Sequence, residues 1–133
     1  MILVDTSVWI EFFRGNEPYF TKLKELIESS DVLAHEVIFG ELLQGCKNKA
    51  ELNFILEYWE SLSNIVSNGS FILAGKISFE NKHLDKGIGI IDSILINETR
   101  QNNLKIWTLD KKILKLLEPK YVFEKKPTIP LAY

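Results

Sequence analysis

The chain is poor in the residues that staple folds or ligate soft metals. Among its 133 residues there is one cysteine, Cys46, and there are two histidines, His35 and His83. A lone cysteine excludes an intramolecular disulfide and any cysteine-based zinc cluster, and it suits a reducing compartment. With no histidine near it in sequence, Cys46 reads as a structural thiol. His35 and His83 are too few and too far apart to argue for zinc or general-base chemistry, so neither is given a role. Long apolar runs are missing as well, since no stretch approaches the roughly 20 residues of a membrane span. The opening Met1-Ile2-Leu3-Val4-Asp5 has no basic segment before its short apolar run, so no secretory signal is read there. These absences predict a soluble, cytoplasmic protein with no membrane partner. No repeat, low-complexity tract or linker interrupts the sequence, and residues 1–133 are read as one domain.

Net charge is small too, formally −2, which neither suggests nor excludes a nucleic acid. Its distribution is uneven. The first part carries Asp5, Glu11, Glu17, Glu25, Glu28, Asp31 and Glu36 against Arg14, Lys22 and Lys24. The last part carries Lys105, Lys111, Lys112, Lys115, Lys120, Lys125 and Lys126 against Asp110, Glu118 and Glu124. Such asymmetry can set a basic patch beside an acidic site, or can be a solvated lysine face.

What is present is apolar: 46% of the residues are hydrophobic and 11% aromatic, enough for a packed core. Ile2-Leu3-Val4 reads as a short buried strand. Thr6 or Ser7 is placed to cap a helix to about Phe13, ended by Gly15. Pro18 suits the first turn of a helix over about 19–28, with Phe20, Leu23, Leu26 and Ile27 on one face. Residues 31–34 read as a strand, 36–44 as a helix stopped by Gly45, 50–61 as another helix, and 64–66 as an extended piece. Ser70 is expected to cap a helix to about Asn81, residues 84–89 form a glycine-bearing loop, and Asp92 caps a helix to about Asn102. Residues 105–109 are the clearest later strand, Asp110 caps a helix over 111–117, and 121–123 are a candidate edge strand. Strands separated by helices predict an α/β fold with a parallel sheet covered on both faces.

In an open parallel sheet, ligands bind beyond the carboxyl ends of the strands. Asp5 follows the first strand and Asp110 the strand over 105–109, so both project from the same edge. Asp92 opens a helix, and Glu41 sits within the apolar run Val37-Ile38-Phe39-Gly40-Glu41-Leu42-Leu43. Each has a plain structural use: Asp92 and Asp110 as helix caps, Asp5 as an acceptor for the next turn, Glu41 on an exposed helix edge. Together they make a different case. Two carboxylates about 4 Å apart repel by roughly 4 kcal/mol at an effective dielectric near 20. A cluster of them persists only if protons or cations neutralise it, and an all-oxygen site prefers Mg²⁺ or Mn²⁺. Thr6, Ser7 and Thr108 stand beside two of these acids and can orient a water or ligand as well as cap.

Asp5-Thr6-Ser7-Val8-Trp9-Ile10 after a short strand resembles the opening of PIN-domain proteins. Glu41-Leu42-Leu43-Gln44-Gly45 is similar to that family's glutamate-bearing helix. Ile91-Asp92-Ser93-Ile94-Leu95-Ile96, followed by Asn102-Asn103-Leu104-Lys105-Ile106-Trp107-Thr108-Leu109-Asp110-Lys111, resembles its second half, where an acid-headed helix leads into a strand ending in T-x-D. The resemblance covers essentially the whole chain, and a domain of this size is most similar to the VapC toxins of toxin–antitoxin pairs. It implies a PIN-like three-layer fold with a short central parallel sheet flanked by helices. It also implies an Mg²⁺- or Mn²⁺-dependent endoribonuclease in which Asp5, Glu41, Asp92 and Asp110 hold the metal, RNA is cut to leave a 5′-phosphate, and the partners are a cognate antitoxin and a second copy of the chain.

The pattern departs at Gln44, where family members often carry Arg or Lys. Lys47, Lys49, Lys111 and Lys112 are therefore the candidate phosphate contacts by sequence proximity. Trp9, Phe12, Phe13, Tyr19 and Phe20 crowd the first helical hairpin and read as core, with stacking on single-stranded RNA or a groove for an antitoxin helix as the other uses. Two other functions were weighed. A haloacid-dehalogenase-type phosphatase needs a second Asp two positions after Asp5, where this chain has Ser7. An inactive PIN-like binding module is expected to have lost at least one of the four acids.

Overall fold

A computed structural model describes residues 1–66 and 69–124; Lys125 and Lys126 of the basic stretch lie outside them. Four strands, β1 (Ile2–Val4), β2 (Val32–His35), β3 (Ser63–Ile65) and β4 (Lys105–Trp107), form one sheet in the order β3-β2-β1-β4. All pairings are parallel, with Ile2 opposite both Val32 and Lys105, and Val4 opposite Trp107. Ile2, Leu3 and Val4 are all buried. A central parallel strand is covered on both faces, which is why it reads as an unbroken apolar run rather than an alternating one.

Among the described residues seven α-helices connect and flank the sheet: α1 (Thr6–Phe13), α2 (Tyr19–Glu28), α3 (Glu36–Gln44), α4 (Lys49–Ser61), α5 (Ser70–Glu80), α6 (Ile90–Gln101) and α7 (Lys111–Leu116). The α/β class and the parallel sheet are as the sequence predicts. Helix α1 packs on α2 and α3, α3 on α4, and α5 on α6. An aromatic cluster binds the first group: Trp9 stacks on Phe13 (centroids 5.5 Å apart) and meets Phe12, Phe39 and Tyr58 edge-on. Trp9 and Phe12 are core, as expected, while Phe20 is 38% exposed.

The strand order fixes where a ligand binds. From β1 the chain steps outward to β2 and β3, then returns to place β4 on the other side of β1. The carboxyl ends of β1 and β4 therefore lie at the switch in strand order, the position where such a sheet is expected to open its ligand crevice. The Asp5 amide donates to the Trp107 carbonyl (2.9 Å), holding the two strand ends together there.

Four local expectations are corrected. Thr6 and Ser7 do not cap α1: Asp5 occupies the cap position without a side-chain cap bond, and both hydroxyls are used elsewhere. Helix α5 is preceded by Gly69 in the left-handed region (φ 77°), so Ser70 lies inside it. Helix α6 starts at Ile90 after an extended Gly89, so Asp92 lies in its first turn rather than at its cap. Residues 121–123 give only an isolated bridge, Ile106 to Val122, because Pro119–Tyr121 forms a 3-10 turn that delivers too short an extended piece.

Helix α6 is buried over seven successive residues, Ser93 to Thr99. Two of its polar members are satisfied locally, whereas Asn97 Nδ2 is buried with no hydrogen-bond partner among the described residues. The Thr99 hydroxyl donates to the Leu95 carbonyl (2.7 Å), and the Glu98 carboxylate accepts from Asn102 (3.0 Å). Both histidines have structural uses the sequence reading did not find. His83 Nδ1 pairs with the Ser93 hydroxyl at 2.8 Å, and His35 Nδ1 accepts from the Val37 amide (3.1 Å) to cap α3. Burial pushes the His35 imidazole down from its ordinary range against the opposing pull of Glu98.

Candidate active site

Asp5 ends β1, and its carboxylate is buried at 7% exposure. The Thr108 hydroxyl donates to its Oδ2 at 2.7 Å, and the Ser7 hydroxyl donates to the same oxygen at 3.1 Å. Both hydroxyls also accept: Ser7 Oγ from the Leu109 amide (3.1 Å) and Thr108 Oγ1 from the Asp110 amide (3.0 Å). The two strand ends are thus laced by hydroxyls that point every donor at Asp5. Two hydroxyl donors on one carboxylate oxygen fix the orientation of the Asp5 side chain. Ser7 is consumed in this lacing, which leaves no acid/base group two residues after Asp5.

Asp110 caps α7, its Oδ1 accepting from the Lys112 amide at 2.8 Å. Its other oxygen has no hydrogen-bond partner among the described residues. Glu41, exposed on α3, accepts from the Thr6 hydroxyl at 2.9 Å. This contact joins the glutamate helix to the turn after β1. Asp92 rises from the first turn of α6 and has no hydrogen bond or ion pair among the described residues. Burial first, and then the charges of Asp110, Asp5 and Glu41, push its carboxyl up to about 6, with Lys112 alone pulling the other way. The four acids singled out in the sequence therefore feel one another at the mouth of the β1–β4 crevice.

Hard carboxylate oxygens facing one another with one lysine against them form a donor set suited to a divalent cation. As the side chains stand, no three of the His, Cys, Asp or Glu groups among the described residues are gathered closely enough to encircle an ion. Mutual repulsion of several kcal/mol per close pair holds like charges apart, and Asp5, Glu41 and Asp110 are each held by a hydroxyl or an amide.

The candidate lysines divide. Lys112 bears on Asp92, and its stem lies over Gly87, where an added Cβ would meet its Cδ and Cε at 3.4 Å. Gly87 has a φ of 76°, so both its backbone and the lysine above it require the missing side chain. Lys47 lines a groove of about 410 Å³ that shares Thr6 and Glu41 with the acid site. Lys49 and Lys111 are exposed, and the structure ties neither to the acids. Arg14, which the sequence reading did not single out, lines the same groove. Only the packing of α1 beside α3 brings it there, and no local signal carries that.

Comparison with known proteins gives a consistent answer. The family description PIN domain matches residues 2–117. Ribonuclease VapC32 of Mycobacterium tuberculosis is 27% identical over 117 residues, covering 85% of this chain and 87% of that protein. Among solved structures, a toxin–antitoxin complex from Klebsiella pneumoniae has a chain that superposes with a TM-score of 0.70 at 16% identity, over 90% of this chain and 94% of that one. VapBC2 from Rickettsia felis, bound to a DNA fragment from its promoter, has one that superposes with a TM-score of 0.70 at 19% identity, over 92% and 96%. At these identities the superpositions show a common fold.

Proposed function

The chain belongs to the PIN domain family, and from that membership we propose that it is a metal-dependent endoribonuclease of the VapC toxin kind. The observation that carries the reading is the half-buried Asp92, pushed up to about 6 by burial and then by the charges of Asp110, Asp5 and Glu41. The likeness to Ribonuclease VapC32 supports RNA as the substrate. The likeness to toxin–antitoxin complexes supports an antitoxin as the partner.

Asp5, Glu41, Asp92 and Asp110 are the residues that would hold Mg²⁺ or Mn²⁺. When bound, such a cation offsets charge developing on the phosphodiester and lowers the pKa of water beside it. The protein's own part is orientation. Ser7 and Thr108 fix Asp5, the α7 cap fixes one oxygen of Asp110, and Thr6 holds Glu41 toward the crevice. Asp92, with its carboxyl pushed up to about 6, is the acid that would lose its proton to solvent where a cation bound beside it. Lys112, steadied over Gly87, places positive charge beside the acids, where a substrate phosphate arrives.

Two further parts of the reading concern assembly and place. A second copy of the chain covers the apolar side of α5, where Ile72 is 80% and Phe79 85% exposed. The cell compartment is the cytoplasm, which holds RNA and keeps a lone thiol reduced. Among the described residues no helix is long and apolar enough to cross a membrane.

The test is cleavage of total cellular RNA by purified protein with Mn²⁺ or Mg²⁺, beside EDTA and Asp92→Asn controls. Discrete fragments ending in 5′-phosphate, lost with either control, are the expected result. Absence of both cleavage and calorimetric Mn²⁺ binding would overturn the reading in favour of an inactive PIN-like module.

A further inference from the structure

The groove beside the acid site has a composition that metal binding does not explain. It runs between α1, α3 and α4 and takes in about 410 Å³, the size of a small-molecule site. Thr6 and Glu41 form one end of it. Phe13 and Phe54 lie along it, and Arg14 and Lys47 supply positive charge. We infer that this groove is the subsite for the unpaired nucleotide next to the cleaved phosphate, with its base stacked on Phe54 and its flanking phosphates met by Arg14 and Lys47. The inference rests on the ribonuclease reading and deepens it, since it assigns residues that select a single-stranded substrate.

Three observations carry it. The first is continuity: a strand whose phosphate lies at Glu41 must leave the acid site past the Thr6–Glu41 contact, and the groove begins there. The second is the aromatic wall. Trp9, Phe12 and Phe13 are committed to one another in the core, but Phe54 at the edge of that cluster is 51% exposed. Phe54 meets Phe13 (6.0 Å, 68°) and Tyr58 (5.4 Å, 76°) edge-to-face, and no described ring lies flat against it. A half-exposed phenyl ring in a groove wall leaves a face open to stacking, and every base offers a π-face. The third is charge. The Arg14 side chain is 68% exposed and makes one long contact, 4.0 Å, to Glu11. Lys47 is exposed, and its own backbone amide donates to Glu51 Oε2 (2.9 Å), so the acid in this wall is occupied by its loop. A stacking face flanked by two cations suits a base and its phosphates, and the aliphatic Ile10, Leu42 and Ile55 that also line the groove can pack against the base.

The experiment uses a short single-stranded RNA with 2-aminopurine beside the cut position, and the variants Phe54→Ala and Phe54→Trp. Phe54→Ala is expected to raise KM for cleavage by about fivefold to a hundredfold, the worth of one base–aromatic stack, with kcat little changed. Melting temperature and Mn²⁺ affinity stay at wild-type values, because half the ring is already in water. Phe54→Trp restores KM. In EDTA, where nothing is cut, wild type quenches the 2-aminopurine and Phe54→Ala does not. A Phe54→Ala protein that cuts and quenches like wild type overturns the inference and leaves the groove to a protein segment. Failure to cut with Phe54-dependent quenching intact overturns the ribonuclease reading and keeps the nucleotide subsite. Failure of both in wild type overturns both.

Discussion

Asp92 concentrates the tension of the site in one side chain. Its carboxyl, ordinarily near 3.8, is pushed up to about 6 by burial and by three like charges. An acid whose folded pKa lies above its unfolded value costs stability as it ionises. The penalty is absent below about pH 4, grows as pH rises to about 6, and is constant above. At pH 7.5 it is on the order of 1–2 kcal/mol after discounting for the solvent that reaches the half-buried group. Asp92→Asn should therefore melt several degrees above wild type at pH 7.5 in EDTA, with the gap closing by pH 4. Thermal denaturation at the two pH values checks this, and a lower melting point for the variant at pH 7.5 would make Asp92 a structural acceptor instead. The same proton competes with a cation, so Mn²⁺ affinity of the wild type should weaken as pH falls below 6. Asp5 behaves differently, because its buried carboxylate accepts two hydroxyl bonds. Removing that side chain disturbs the fold as well as the site, so Asp92→Asn is the cleaner control.

At the scale of elements, the crevice depends on how β4 is joined to α7. Thr108 is 1% exposed, and its hydroxyl both donates to Asp5 and accepts from the Asp110 amide, linking strand β1, strand β4 and the α7 cap. Thr108→Val keeps the shape and removes both bonds, leaving a buried amide and part of a buried carboxylate unpaired. The expected loss is ~1–3 kcal/mol in urea unfolding, together with weaker Mn²⁺ binding as Asp5 is freed to turn. Unchanged stability and affinity would mean that water replaces the hydroxyl without cost. This junction was legible in the sequence, because Asp5 and Asp110 each follow a short apolar strand and the end of a parallel strand is where side chains leave the sheet. Asp92 was legible as an acid near a helix start but not as an uncapping one, since the start of α6 is set by the extended backbone of Gly89. The α5 boundary was misread for a related reason: the left-handed Gly69, not the hydroxyl of Ser70, precedes that helix. Arg14 and Phe54 could not be placed at all. Their nearness to Glu41 is a property of α1, α3 and α4 packing together, and no sequence period encodes it.

At the scale of the whole molecule, the most exposed large apolar side chains among the described residues include two on α5. Ile72 and Phe79 are seven residues apart, two helical turns, and so lie on one face. They are 80% and 85% exposed, and Leu84 just beyond the helix is 79% exposed. Lone exposed apolar side chains are ordinary, but large ones aligned on one helix face mark an interaction surface. In the proposed pairing a second copy would bring the same residues to meet them, since a two-fold interface pairs a patch with itself. A net charge of −2 sets little repulsion against such pairing. Sedimentation of the wild type should therefore give a mass near twice 15.4 kDa, and an Ile72→Asp, Phe79→Asp double variant should sediment as the single chain. Both positions are solvated in the isolated chain, so the variant should keep its helical circular dichroism and its Mn²⁺ affinity, which separates loss of pairing from loss of fold. A wild type that stays at the single-chain mass at high concentration would remove the second copy from this face and leave it to a different protein.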